Sequence, residues 1–187
     1  MGTHNRLLRI ATIEYPRAYF EIIAVQPGRD PQRGRRWFDL DDESLRDTLR
    51  RNGPALVHFV ASVEQVRPAV AAWAALGIDR GEIVHASRMT ARGPLQWQIT
   101  IRADGQLLYG GVLPTLIEWG ATHPAPALPE SGVRLQSLTA AHPQAAVLRS
   151  AWEAIALQGV ALTEGPAALC ATLDTPRGRI RLESPAR

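Results

Sequence analysis

Ala55-Leu56-Val57-His58-Phe59-Val60-Ala61, followed by Ser62 and then by Val66, Val70 and Trp73 at helical spacing up to Gly77, is the stretch on which the fold turns. The first seven residues form an apolar run interrupted only by His58, which reads as a strand. The period then changes from strand to helix. Pro68 inside the helical run predicts a kink or a late start. Ile83–Met89 reads as the next strand. After it Leu95, Trp97, Ile99 and Ile101 alternate with Gln96, Gln98, Thr100 and Arg102. Asp104-Gly105 has the chemistry of a two-residue hairpin turn into Gln106–Tyr109. Gly110-Gly111 suits a bulge, and the run finishes at Thr115–Trp119. The order is strand, helix, strand, strand, strand.

The same order recurs downstream of a proline-rich linker, His123–Pro129. Val133–Ala140 reads as a strand and Pro143 sits where a first helical residue belongs. Val147, Leu148, Ala151, Trp152 and Ile155 make one helical face that Gly159 ends. Val160–Thr163, Ala167–Leu173 and Arg179–Glu183 follow as strands, the last two joined by Thr175-Pro176-Arg177-Gly178. Upstream, Asn5–Ala11 and Ala18–Val25 form a hairpin. Pro27, Gly28, Pro31 and Gly34 then break the chain before a short helix from about Glu43 to Arg51, closed by Asn52-Gly53. The reading is a single α+β domain over 1–187. It comprises a partial module (1–26), a connector with a short helix (27–54), a βαβββ module (55–120), a linker (121–132) and a second βαβββ module (133–187), with curved, mixed, antiparallel-rich sheets. Sequence identity between the modules is slight, so the repeat rests on element order.

At 187 residues, 45% hydrophobic and 21% charged, the chain suits one ordinary globular unit. No apolar stretch is long enough to span a bilayer and no secretory leader pattern opens the chain, which points to a cytoplasmic protein without a membrane partner. Cys170 is alone, excluding an intrachain disulfide or a cysteine-built zinc site. The net charge is +3, and every basic residue other than histidine is arginine. Apart from Arg33, Arg35 and Arg36 beside Trp37 the arginines are scattered. No reading motif accompanies that cluster, so it is taken as a solvated loop rather than a nucleic-acid surface.

Gly2-Thr3-His4-Asn5-Arg6-Leu7-Leu8 and Tyr19-Phe20-Glu21-Ile22-Ile23-Ala24 resemble the opening of a glyoxalase-like domain of the vicinal oxygen chelate superfamily. Arg36-Trp37-Phe38-Asp39-Leu40, Leu116-Ile117-Glu118-Trp119-Gly120, His123-Pro124-Ala125 and Leu173-Asp174-Thr175-Pro176-Arg177-Gly178 continue the resemblance in the order that family uses. The resemblance implies βαβββ modules forming a cup that often holds a divalent metal. It also implies a further strand and helix before the His4-Asn5 strand, that first strand often carrying a metal-ligating His. Here the chain starts at Met1, so a metal site on the family pattern has lost one position.

Glu21 and Glu118 match the family's carboxylate ligand positions. Each is an acid within an apolar strand, costly unless paired, hydrogen-bonded or metal-bound. The plain alternative is a buried carboxylate paired with Arg. His58 stands where the superfamily can place an imidazole, although a lone His there is more often a satisfied core residue. Together the three would suit manganese, iron or zinc with open positions for water and substrate. A metal-free cup that binds a small molecule is the competing expectation. Gln96, Gln98, Thr100 and Arg102 share a strand face and line the cup if the apolar face meets the helix. His4, Asn5 and Trp119, with His123, fall in family-matched segments and are assigned to the ligand side or rim. No Ser-His-Asp set, phosphate loop or dinucleotide fingerprint can be placed. The catalytic residues, the reaction and the substrate stay open, and so does the choice between a lyase, isomerase or dioxygenase-like enzyme and a noncatalytic binding or oligomerisation protein. The hairpin, marginal on its own, predicts a homodimer through its exposed edge.

Overall fold

Two seven-residue strands, β1 (Thr3–Arg9) and β2 (Tyr19–Val25), pair antiparallel from Thr3 opposite Val25 to Arg9 opposite Tyr19. In the computed structural model, which describes residues 2–31, 34–90 and 93–185, they form a two-stranded sheet of their own. Period-two alternation gives this hairpin two different faces. Asn5, Leu7, Tyr19, Glu21 and Ile23 point one way and are partly buried, whereas His4, Arg6, Leu8, Ile22 and Ala24 point the other way and are exposed. The hairpin is moored to the C-terminal half by Leu135 N–H donating to the Ile10 carbonyl (2.9 Å) and by the Ser131 hydroxyl donating to the Arg9 carbonyl.

Helix α1 (Glu43–Asn52) starts where Asp42 accepts from the Leu45 N–H at 2.8 Å, a side-chain N-cap. The central sheet follows: β3 (Val60–Ser62), helix α2 (Val66–Ala75), β4 (Glu82–Thr90), β5 (Gly93–Ile101) and β6 (Thr115–Trp119), in strand order β3-β6-β5-β4. Pro68 falls in the first turn of α2, where its missing N–H would have had no helical partner, so α2 shows no break. The long strand expected over Ala55–Ala61 shrinks to Val60–Ser62, and His58 lies in irregular chain ahead of it.

The expected strand over Gln106–Tyr109 is absent; the chain instead makes a 3-10 turn at Tyr109–Gly111. Local polar chemistry wins over alternation here. Asp104 accepts from the Gln106 N–H (3.0 Å) and pairs with Arg102, and Asp39 of the connector accepts from the Leu107 N–H (3.0 Å). Gly105 must be glycine, because a Cβ there would lie 2.1 Å from the Arg36 carbonyl oxygen and its φ is +71°. The segment is thus pulled onto the Arg36–Asp42 connector, away from β5.

The last sheet contains β7 (Arg134–Ala141), helix α3 (Ala145–Ala154), β8 (Val160–Thr163), β9 (Ala168–Thr175) and β10 (Gly178–Glu183), in strand order β10-β9-β7-β8. Pro143 precedes the Gln144 cap instead of opening the helix. Ala156, at φ +52°, turns the chain out of α3 before Gly159 is reached. The two helices share one core: Trp73, Leu113, Leu116, Leu148 and Leu169 are all fully buried, and the Trp73 indole donates to the Ala151 carbonyl at 2.6 Å. No helix of the described residues is long and apolar enough to cross a membrane.

Candidate functional site

The central sheet carries two chemically distinct faces, fixed by cross-strand register. Val84, Ile99 and Ile117 stand side by side on the inner face, with Trp97 opposite Trp119. Ile99, Ile101 and Ile117 are buried there under Trp37, Val84, Trp97 and Trp119. The odd-numbered face of β2 lies against this row. Tyr19 meets Trp119 edge-on at 6.5 Å between ring centroids, His123 lies 6.1 Å from Tyr19 and 5.2 Å from Trp119, and Trp97 lies 5.6 Å from Trp119.

Glu21 is the acid of this aromatic wall. Asn5 Nδ2 donates to its Oε1 at 2.6 Å. Burial pushes its carboxyl above the ordinary range, with the Asn5 bond and the charge of Arg88 pulling the other way. Burial and the Glu21 charge likewise raise the Tyr19 phenol far above its usual value. His123 is pushed down to about 4 by burial and then by Arg17, so its imidazole is neutral near pH 7.

The outer face holds the even-numbered residues of β5 and β6 and the odd-numbered residues of β4. Leu116 and Thr100 lie under the helices, and Thr100 Oγ1 accepts from the Leu116 N–H (3.0 Å). Glu118 Oε2 accepts from the Val66 N–H at 2.7 Å, capping the start of α2, while its Oε1 accepts from Gln98 Nε2 at 2.9 Å. His85, Ser87, Gln96, Gln98 and Glu118 border a recess of about 370 Å³ at this end of the sheet.

The expected metal set is therefore not assembled. Glu21 is on the hairpin against the inner face, Glu118 is on the outer face, and His58 belongs to neither. The His58 ring donates from Nδ1 to the Gly111 carbonyl (2.8 Å), and its Nε2 accepts from the Thr115 N–H (3.0 Å). Among the described residues no group of three or more His, Cys, Asp or Glu is placed to hold a metal ion. A divalent ion of the kind the family often carries does not fit these donors. The physical reason is the strand period: Glu118 and Trp119 are neighbours in β6, so only one of them can face Tyr19 and Glu21.

The polar row corrects in the same way. It faces the helix side, where Gln98 donates to the Glu118 carboxylate that holds the Val66 N–H and Thr100 accepts from the Leu116 N–H. Arg102, at the end of β5, is spent on Asp104 and on the Asp79 carbonyl (2.9 Å). Asn5 and Trp119 do reach the inner face, whereas His4 is exposed on the opposite side of the hairpin. Sequence reading left out Tyr19, Trp97 and Arg88 as companions of Glu21. Tyr19 and Glu21, two apart on β2, were its one available signal. Of the arginine cluster, Arg36 is ion-paired with Asp41 at 2.6 Å, and Arg33 lies outside the described residues.

The model of the glyoxalase-like domain family matches residues 1–156. No curated protein matches the chain. Among solved structures, a hypothetical protein from Staphylococcus aureus aligns with a TM-score of 0.54 at 11% identity, over 98% of this chain and 72% of that one, a likeness of fold.

Proposed function

The chain belongs to the glyoxalase-like domain family, and from that premise we propose that it is a cytoplasmic small-molecule-binding protein whose ligand lies against the inner face of the central sheet, without a resident metal ion. One observation carries the reading: Glu21, a carboxyl raised by burial and oriented by Asn5, stands in a wall of Tyr19, Trp97, Trp119 and His123. A carboxyl held in place by Asn5 is a polar anchor that fixes a ligand's orientation, and the aromatic rings offer apolar contact for the rest of it. The ligand class this suits is a small organic molecule with an apolar body and a carbonyl or carboxylate group, Arg88 supplying attraction for the latter. Cytoplasmic placement is supported by the lone Cys170.

Metal analysis of protein expressed with manganese, iron and zinc, combined with tryptophan-fluorescence titration against small 2-oxo and aryl carboxylates, tests this. Substoichiometric metal, together with saturable quenching that weakens about tenfold in Glu21→Gln, is expected if one charge-assisted bond of roughly 1.4 kcal/mol is lost. Stoichiometric metal removed by Glu21→Gln or Glu118→Gln would overturn it.

A homodimer is a second reading, favoured by the outer edge of β2. That edge pairs with no strand among the described residues, and Ile22 at the middle of the strand is 57% exposed. Light scattering over a dilution series tests it. A monomeric mass at the highest concentration rejects it.

A further inference from the structure

The outer-face recess beside the start of α2 lies across the sheet from Glu21, and most of its lining is polar side chains delivered by three neighbouring strands. Register sets His85 opposite Gln98 and Gln98 opposite Glu118, with Ser87 opposite Gln96, so five polar groups from β4, β5 and β6 stand in one patch. Helix α2 covers this face only from Val66 onward, which leaves the patch open at about 370 Å³, within the range of small-ligand pockets. Gln98 Oε1 is buried and has no hydrogen-bond partner, although its amide nitrogen is held by Glu118. A buried acceptor left over in an otherwise satisfied network is a group that a ligand or an ordered water completes.

The lining also limits what can bind. Glu118 is its one formal charge, and that charge is already answered by the Val66 N–H and the Gln98 amide, so no strong field calls for an ion. Amides, a hydroxyl and an imidazole both donate and accept at short intervals, which matches adjacent hydroxyl groups. Ala86, Trp97 and Gly120 complete the lining, so the polar groups alternate with a smaller apolar surface that the carbon-bound hydrogens of such a molecule can meet. We propose that this recess is a second ligand site, on the opposite side of the sheet from Glu21, for a small uncharged polyhydroxylated molecule.

Backbone amide NMR titration of the full chain with myo-inositol, D-glucose and glycerol, up to about 100 mM, tests the assignment at the millimolar affinity expected of a shallow polar site. Saturable shifts at Ser87, Gln96, Gln98 and Glu118 are expected, with at least tenfold weaker binding in Gln96→Leu. That residue is exposed, so the variant should keep its melting temperature. A second variant, Ser87→Val, should weaken binding without altering fluorescence quenching by inner-face ligands. Absence of saturable shifts with all three polyols would overturn the proposal, as would shifts centred on Tyr19, Trp119 and His123.

Discussion

The central and last sheets are built from the same order of elements and wired differently. In the central sheet the first strand, β3, is an edge strand beside β6. In the last sheet the first strand, β7, is central, parallel to β8 on one side and antiparallel to β9 on the other. Their buried faces differ as well. Leu135, Ala171 and Leu173 of the last sheet pack with Ile10, Tyr15 and Phe20, and the same face continues through Leu169 into the helix core. A bulge between Leu135 and Ser137 keeps Leu135 and Leu138 on that one side. The opposite side carries Thr139, Arg179 and Arg181 to solvent. Over Ile99–Ile101 and Leu116–Ile117 the central sheet is buried on both faces, by the helix core on one and by Trp37, Val84, Trp97 and Trp119 on the other. Only the central sheet therefore offers a sheltered inner surface where a carboxyl such as Glu21 is worth tuning. A shared element order does not make the last module a second copy of the first.

The largest expected effect attacks what the two sheets have in common. Trp73→Ala removes a fully buried side chain at the α2–α3 seam and its bond to Ala151, which should cost about 3–5 kcal/mol. Because one core joins the sheets, chemical denaturation of this variant should remain a single transition. Two separated transitions would show that the sheets fold independently.

A smaller effect isolates the central sheet. Thr115 is buried, and its hydroxyl bonds both the His58 ring (2.9 Å) and the buried Arg80 guanidinium, whose affinity for its proton burial lowers to about 10. Thr115→Val should cost about 1–3 kcal/mol by taking an acceptor from the Arg80 guanidinium and a donor from His58 Nε2, measurable as a lower denaturation midpoint. An unchanged midpoint would mean that His58 and Arg80 do not depend on it.

The mildest effects are pH slopes on the inner face, and the two groups there act with opposite sign. His123 has its folded value depressed, so keeping it neutral contributes stability that is present above pH 6.5 and is lost as pH falls toward about 4. His123→Asn should show a shallower loss across that window. Glu21 has its folded value raised, so its contribution is present at acid pH and is lost as pH rises through that value. Glu21→Gln should gain stability relative to the parent on going from acid to neutral pH. Thermal melts between pH 4 and pH 8 measure both slopes, and parallel curves for parent and variants would remove these residues from a buried inner face. No comparable slope is expected on the solvent side of the last sheet.

What was legible follows from which signals are local. Val160–Thr163 and the Thr175–Gly178 turn are where alternation and turn residues put them, and Asp42 and Gly53 bracket α1 as capping chemistry requires. Glu21 was recognisable as an acid in an apolar strand, and burial raises its carboxyl above the ordinary range. The reach of Gln106–Tyr109 toward Asp39 was not legible, because the partner lies 68 residues away.

The sequence by itself determined the element order, the α+β class and the two-faced character of each strand, since these depend on spacings of two and about four residues along one chain. Tertiary structure alone decided which strand became central, which face of β5 met the helices, and that Glu21 and Glu118 ended on opposite sides of the assembly. Those outcomes depend on pairings between residues far apart in the chain. Thr100 can face a helix there because the Leu116 N–H donates to its hydroxyl, and the Gln98 amide nitrogen because the Glu118 carboxylate accepts from it.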